Sequence, residues 1–139
     1  MNSCVLCHED GGQILFKNDL YRIILVNDAN YPGYLRIILN SHVKELTDLS
    51  DQDSIKVYEA LLICERVVRD TMLADKINVA SLGNVVPHLH WHIIPRYTND
   101  LHFPNPIWGT ATNNAYVPSG ELLIRSKELA VKLIEKLAD

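Results

Sequence analysis

Apolar and polar residues alternate along this chain with two periods, and each period predicts an element. Leu20 to Asn27 is apolar-rich and β-branched, which reads as a strand. Tyr34 to Asn40 reads as the returning strand, and Asp28-Ala29-Asn30-Tyr31-Pro32-Gly33 between them is turn chemistry, so the pair forms a hairpin. Ser50 is suited to cap a helix, with Gln52 and Asp53 in its first turn. From Asp51 to about Leu73 apolar residues recur at helical spacing (Ile55, Tyr58, Leu62, Val67), with Cys64 enclosed as a small buried hydrophobe. Lys76 to Ser81 reads as a third strand and His88 to Tyr97 as a fourth. Pro118 and Ser119 precede a final helix, to which Leu122, Leu129, Val131 and Leu133 bring apolar surface. The order β-β-α-β-β predicts an α+β domain, an antiparallel sheet with the long helix on one face and a C-terminal helix beside it.

The fourth strand carries the chemistry. In Pro87-His88-Leu89-His90-Trp91-His92-Ile93-Ile94-Pro95 three histidines alternate with apolar residues. A strand sends successive side chains to opposite faces. His88, His90 and His92 then share one face, while Leu89, Trp91 and Ile93 pack into a core. At a rise of ~3.3 Å per residue, His88 and His92 start ~13 Å apart, too far for all three to meet one metal on a straight strand. A row of imidazoles suits a chain of phosphates better: one ring attacks while its neighbours hold protons and oxyanions.

Composition narrows the picture. The chain has 139 residues, 47% hydrophobic and 22% charged, which is ordinary for one globular domain. Net charge is −4, from 13 basic and 17 acidic residues, which argues against a broad nucleic-acid footprint. A phosphate ligand must then be held locally, by backbone N–H groups, hydroxyls and imidazoles. No apolar run reaches the ~18 residues of a membrane span, and Met1-Asn2-Ser3-Cys4 lacks the pattern of a signal peptide, so a cytoplasmic location is the expectation. The stretch His102-Phe103-Pro104-Asn105-Pro106-Ile107-Trp108 is too irregular for a strand; it either wraps the subunit or lines a base pocket. Cys4-Val5-Leu6-Cys7-His8 matches the c-type haem attachment pattern, and reads equally as a disulfide, a redox dithiol or half of a zinc site. Haem attachment and a disulfide belong to an oxidising compartment, and a redox dithiol to a βαβ unit, which disfavours those three and leaves half of a zinc site or two small residues of a flexible N-terminus.

The pattern His-φ-His-φ-His-φ-φ over His88–Ile94 (φ apolar), with Gly83-Asn84-Val85-Val86-Pro87 before it and Pro95-Arg96 after it, resembles the histidine triad (HIT) superfamily of nucleotide hydrolases and transferases, in its bacterial type. Leu25-Val26-Asn27 followed by Pro32-Gly33-Tyr34-Leu35-Arg36-Ile37-Ile38 resembles the same family upstream. The resemblance covers roughly residues 4–108 of a single domain spanning 1–139, with 109–139 as a C-terminal extension. It implies a HIT-like fold of about five antiparallel strands, and a homodimer. It also implies covalent nucleotidyl transfer: His90 as nucleophile, His92 holding phosphate oxygens or shuttling a proton, and His88 completing the triad. Asn27 matches a ribose-binding residue, Asn84 replaces a frequent Gln that contacts phosphate, and Asn78 is a weaker candidate for the substrate. Some relatives bind a structural metal at positions matching Cys4, Cys7, His42 and His88, which implies zinc here, with His8 as a possible substitute ligand. Three departures stand out: Tyr34 where many relatives carry histidine, Val85 where they carry Ser or Thr, and Asn84. The substrate implied is a purine nucleoside phosphate, whether phosphoramidate, adenylate or dinucleoside polyphosphate. A non-catalytic nucleotide sensor, or a metal-binding protein centred on Cys4, Cys7, His42 and His88, is the alternative.

Overall fold

The computed structural model describes residues 3–138. A short helix α1 (Val5–His8) leads into β1 (Gln13–Lys17), β2 (Tyr21–Leu25) and β3 (Leu35–Leu39). The long helix α2 (Asp51–Met72) precedes β4 (Lys76–Ala80) and β5 (His90–Arg96), and α3 (Gly120–Leu137) closes the chain. The five strands form one sheet in the order β1-β2-β3-β5-β4, antiparallel at every pairing. The α+β expectation holds, with an additional edge strand, β1, that the sequence pattern did not locate. In β1 a register shift between Ile14 and Phe16 puts three apolar residues in a row, which hides the period of two. Both long helices start as read, on serine caps: Ser50 Oγ accepts from the Asp53 N–H at 3.1 Å and Ser119 Oγ from the Leu122 N–H at 3.3 Å. The β2–β3 turn depends on Gly33, whose φ of +83° favours glycine and whose missing Cβ would meet Met72 Sδ at 2.8 Å.

One face of the sheet is apolar. Ile23, Leu35, Ile37, Leu39, Trp91 and Ile93 pack against Val57, Ala60, Cys64, Val68 and Met72 of α2 and Leu129 and Leu133 of α3. The phase of α2 differs from the sequence reading, while in α3 Leu129 and Leu133 are buried as read and Val131 is not. Ile55, Tyr58 and Leu62 lie 58%, 62% and 44% exposed, and Val131 is 57% exposed, while Val67 and Leu122 pack only at the margin. Each helix carries two adjacent apolar stripes of equal period, and spacing alone does not say which one meets the sheet. The small side chains of Ala60 and Cys64 sit on the buried stripe. Cys64 is the buried small residue the sequence implied, its thiol pushed up to about 12 by burial.

The other face carries Arg22, Ile24, Arg36, Ile38, His90, His92, Ile94 and Arg96, as strand alternation and the Arg36–His92 and Ile38–His90 pairings require. Two segments cover its ends. At one end Leu6 packs on Ile24 and Ile38, and the Arg22 guanidinium holds the N-terminal segment by donating to the carbonyls of Leu6, Glu9 and Asp10 at 2.8–3.1 Å. At the other, the loop after β5 folds back onto Tyr31, Tyr34 and Ile94 through Leu101 and Ile107. A buried ion pair anchors that loop: Arg96 donates to both carboxylate oxygens of Asp100 at 2.8 and 3.0 Å, and also to Asn78 Oδ1 and the Asn105 carbonyl. Asp100 accepts further from the N–H groups of Tyr97, His102 and Phe103. Burial opposes its ionisation, but the Arg96 bond and the Tyr97 and Phe103 N–H groups outweigh it and hold the carboxyl below the usual range. The Arg96 guanidinium lies over the rings of Tyr31 and Phe103 at 5.6 and 5.7 Å. Between the two covered ends the histidines remain open to a cavity.

Candidate active site

The three triad histidines do not form one row. β5 begins at His90, so His88 lies before the strand, fully buried, and its ring turns toward the N-terminal cysteines. His90 and His92 stay together on the polar face, ring centroids 4.9 Å apart. They line a cavity of about 300 Å³ with Leu82, Gly83, Asn84, Val85, Val86 and Trp108. The expectation of a shared row is corrected at His88. The ladder with β3 ends there: the Leu39 N–H still donates to the Leu89 carbonyl at 3.2 Å, but the Leu89 N–H donates to the Val43 carbonyl and the His88 N–H to the Val86 carbonyl, each at 2.8 Å.

The proton on each ring follows from partners that can only accept or only donate. His90 Nδ1 meets the His88 carbonyl at 2.5 Å; a carbonyl accepts, so Nδ1 carries the proton and Nε2 keeps a lone pair. His88 Nε2 meets the Leu39 carbonyl at 2.6 Å, so it donates there and leaves Nδ1 bare. His92 Nδ1 receives the Arg36 Nε–H at 3.3 Å and the Tyr34 hydroxyl at 2.5 Å; arginine only donates, so Nδ1 accepts and Nε2 holds the proton. The cavity therefore meets one imidazole nitrogen that can attack and one N–H that can donate.

Burial keeps all three rings neutral. His88 and His90 lie below the ordinary histidine range, foremost through burial, which outweighs the bonds to the Leu39 and His88 carbonyls. His92 is pushed down to about 3, first by burial and then by the charge of Arg36 and by His90. Of the two roles expected for His92, oxygen holder or proton shuttle, a ring so far from neutral titration is suited to the first.

The His88 ring belongs to a second cluster. Its bare Nδ1 lies 3.4 Å from Cys4 Sγ and 3.5 Å from Cys7 Sγ, and His42 Nδ1 lies 3.2 Å from Cys7 Sγ. These four ligand atoms all fall within 4.8 Å of one another and can hold a metal ion. Ligands on a tetrahedral zinc stand roughly 3.3–3.8 Å apart, given bonds of about 2.0–2.3 Å, so the donor set and its spacing fit. His8 is exposed and outside the cluster.

The three asparagines separate. Asn84 lines the cavity, exposed on the loop before β5. Asn27 is exposed just past the end of β2. Asn78 is engaged by Arg96 Nη1 at 2.8 Å, an anchoring contact of β4 to the loop. Val85 is 93% exposed at the rim. The sequence reading left the 102–108 stretch open between packing and lining the pocket, and it does both. His102 Nδ1 bonds the Tyr31 hydroxyl at 2.6 Å, while the Trp108 ring meets the His92 ring edge-on at 4.8 Å. Arg36 was missed as a site residue. Its signal was present: a lone cation in the apolar run Leu35-Arg36-Ile37-Ile38-Leu39, in register opposite His92.

The HIT domain family model matches residues 8–99, which contain the hairpin, the long helix and the triad strand. The chain belongs to the HIT domain family. Among solved HIT structures it is similar to a histidine triad protein from Bradyrhizobium japonicum, with TM-score 0.74 and 26% identity over 90% of this chain and 92% of that one. A histidine triad protein from Marinobacter aquaeolei has TM-score 0.74 and 27% identity, covering 92% of each chain. A Zn-bound histidine triad family protein from Mycobacterium smegmatis shares the fold at TM-score 0.65 and 19% identity, over 99% of this chain and 96% of that one. In sequence the chain is 38% identical over 92 residues to a bis(5'-adenosyl)-triphosphatase of Saccharomyces cerevisiae, which is 61% of this chain and 44% of that protein. It is 26% identical over 108 residues to an AP-4-A phosphorylase of Mycobacterium tuberculosis, 73% of this chain and 55% of that one. The chain thus spans about half the length of the curated relatives it matches.

The depressed His92 pKa has a consequence for stability. Unfolded, this ring takes a proton near its reference pKa of ~6.5; folded, it does not until about pH 3. Between those values the unfolded state binds more protons, so stability falls as pH drops below about 6.5. His92→Gln, which cannot titrate, should show a shallower loss of melting temperature between pH 6.5 and 4 than the parent protein. Identical slopes would mean that the ring is protonated in the fold as readily as out of it.

Proposed function

We propose that this protein hydrolyses a phosphate bond of a nucleoside phosphate through a covalent nucleotidyl intermediate on His90. The observation that carries this reading is the complementary pair of tautomers, the His90 Nε2 lone pair beside the His92 Nε2–H, on one cavity. In the first step His90 Nε2 attacks the α-phosphorus, a P–N bond forms, and the bond to the leaving group breaks. In the second, water attacks the same phosphorus, the P–N bond breaks, the nucleoside monophosphate leaves, and the water's second proton passes to solvent. Dividing one displacement into two lowers each barrier. His92 Nε2–H donates to a non-bridging oxygen as charge grows on it. Asn84 at the rim of the same cavity is placed to donate to a phosphate, and Asn27 is the candidate for the ribose hydroxyls. The names of the yeast and mycobacterial relatives favour a dinucleoside polyphosphate, with adenosine as the purine nucleoside.

Cys4, Cys7, His42 and His88 would hold a structural zinc. Zinc would supply cross-linking of the N-terminal segment to the sheet, and with it a fixed position for the His88 peptide. A cytoplasmic, reducing compartment would keep the Cys4 and Cys7 thiols available to a metal. The exposed stripe of Leu46, Ile55, Tyr58 and Leu62, beside a groove of about 480 Å³ floored by Val57 and Trp91, supports a second copy as partner, in line with the expected homodimer.

With diadenosine triphosphate as substrate, mass spectrometry of quenched reactions should find one nucleotidyl group on the protein. His90→Ala should lose the adduct and at least ~10⁴-fold in turnover while retaining nucleotide binding. Near-normal turnover in His90→Ala would remove His90 from the chemistry.

Purified protein should carry about one zinc per chain, measured by elemental analysis. Cys4→Ser with Cys7→Ser should lose both the metal and part of the thermal stability. A metal-free parent of the same stability as the variant would mean the cluster is not a zinc site.

Light scattering should give about twice the chain mass of 15.8 kDa. Ile55→Glu with Tyr58→Glu should bring it to the monomer value; a dimer that survives both changes uses another face.

A further inference from the structure

We propose that Arg36, Tyr34 and His92 form a hydrogen-bonded relay that holds the His92 proton on Nε2, which makes Tyr34 and Arg36 positioning residues for the ring that meets the phosphate oxygens. The consequence for catalysis rests on the hydrolase reading above; the tautomer itself does not.

Left to itself a neutral imidazole places its proton on either nitrogen, and the two forms offer opposite faces to a ligand. At His92 the choice is removed by two neighbours on β3. Arg36 lies directly opposite His92 in the β3–β5 register, and its Nε–H points at Nδ1 from 3.3 Å. Arg36 Nη2 donates to the Tyr34 oxygen at 3.3 Å, which occupies an acceptor site of that hydroxyl and aims its own proton at His92 Nδ1, 2.5 Å away. A donor bond into a hydroxyl strengthens the bond that hydroxyl gives, so the relay runs in one direction, from guanidinium to phenol to imidazole. The Arg36 Nε–H is the link that selects the tautomer: arginine cannot accept, so with the His92 proton on Nδ1 this contact would set two donors against each other, whereas with the proton on Nε2 both neighbours donate to Nδ1.

The side chains are held for this task. Tyr34 is 1% exposed, at the first position after the Gly33 turn, and burial raises its pKa so that the phenol keeps its proton. Arg36 lies with its guanidinium 5.3 Å above the Tyr34 ring. No carboxylate among the described residues pairs with Arg36; the ion pairs are Arg96–Asp100 and Arg125–Glu121. Its donors are thus free for tyrosine and imidazole. A tyrosine at this position is one of the chain's departures from the resembling family, and the relay gives that departure a use: the hydroxyl accepts a hydrogen bond from the arginine and donates its own to the imidazole.

The test is the tautomer, read by ¹H–¹⁵N correlation of the histidine rings in ligand-free protein. His92 should show a protonated Nε2 and an unprotonated, hydrogen-bonded Nδ1. In Tyr34→Phe and in Arg36→Leu the His92 signal should move toward a mixture of both forms, with the His90 tautomer unchanged. Turnover of diadenosine triphosphate should then fall by about tenfold or more in kcat, with little change in KM, because a donor is lost mainly where charge develops. A His92 proton on Nδ1 in the parent protein, or a pure Nε2–H form in both variants, overturns the relay. If the parent shows the expected tautomer and both variants lose it, the relay stands even should the substrate not turn over. That outcome would count against the hydrolase reading alone.

Discussion

The arrangement rests on a main-chain constraint: a carbonyl oxygen can accept a proton but never supply one. The His88 Nε2–H donates to the Leu39 carbonyl and the His90 Nδ1–H to the carbonyl of His88. Those two bonds decide which nitrogen of each ring is left for chemistry. In His88 the free nitrogen faces two thiols and another imidazole; in His90 it is left for the cavity. The peptide of His88 is common to both. Its side chain joins the cysteine cluster and its carbonyl sets the neighbouring nucleophile. Order in the N-terminal segment therefore reaches the cavity through one residue.

The third ring is governed by side chains instead, through Tyr34 and Arg36. Burial unites the three. With each ring removed from water, the protonated forms are disfavoured and a neutral imidazole offers one lone pair and one N–H. Alternation along β5 brings His90 and His92 to one face, and the differing partners of the two rings turn equal side chains into an acceptor and a donor. The walls depend on Arg96 and Asp100. A buried pair of this kind costs ~3–5 kcal/mol when one partner is removed, and here the carboxylate also collects three backbone N–H groups. The loop it anchors carries Trp108 against His92.

Much of this was legible in the chain. Alternation identified four of the five strands, serine caps marked the starts of both long helices, and the spacing of the triad placed His90 and His92 on one face, though it put His88 there as well. The Cys4, Cys7, His42 and His88 cluster followed from the resemblance to the HIT family, and the four ligand atoms do converge. The errors have one origin. Periodicity reports that a stripe or strand exists but not what it faces. Ile55, Tyr58, Leu62 and Val131 lie on stripes that point away from the sheet, and β1 is masked by a register shift.

The sequence by itself determined the element types and the kinds of chemistry available, because these depend on local steric preference and on side-chain identity. Only the tertiary structure decided where β5 begins, that His88 leaves the row for the cysteines, that Asn78 serves Arg96, and that Arg36 stands opposite His92. Each is a relation between residues far apart in the chain, Arg36 and His92 or Cys4 and His88 among them. Proton positions are relations of the same kind. An imidazole's tautomer is set by whichever distant carbonyl, hydroxyl or guanidinium packing brings to it, and no local pattern encodes that.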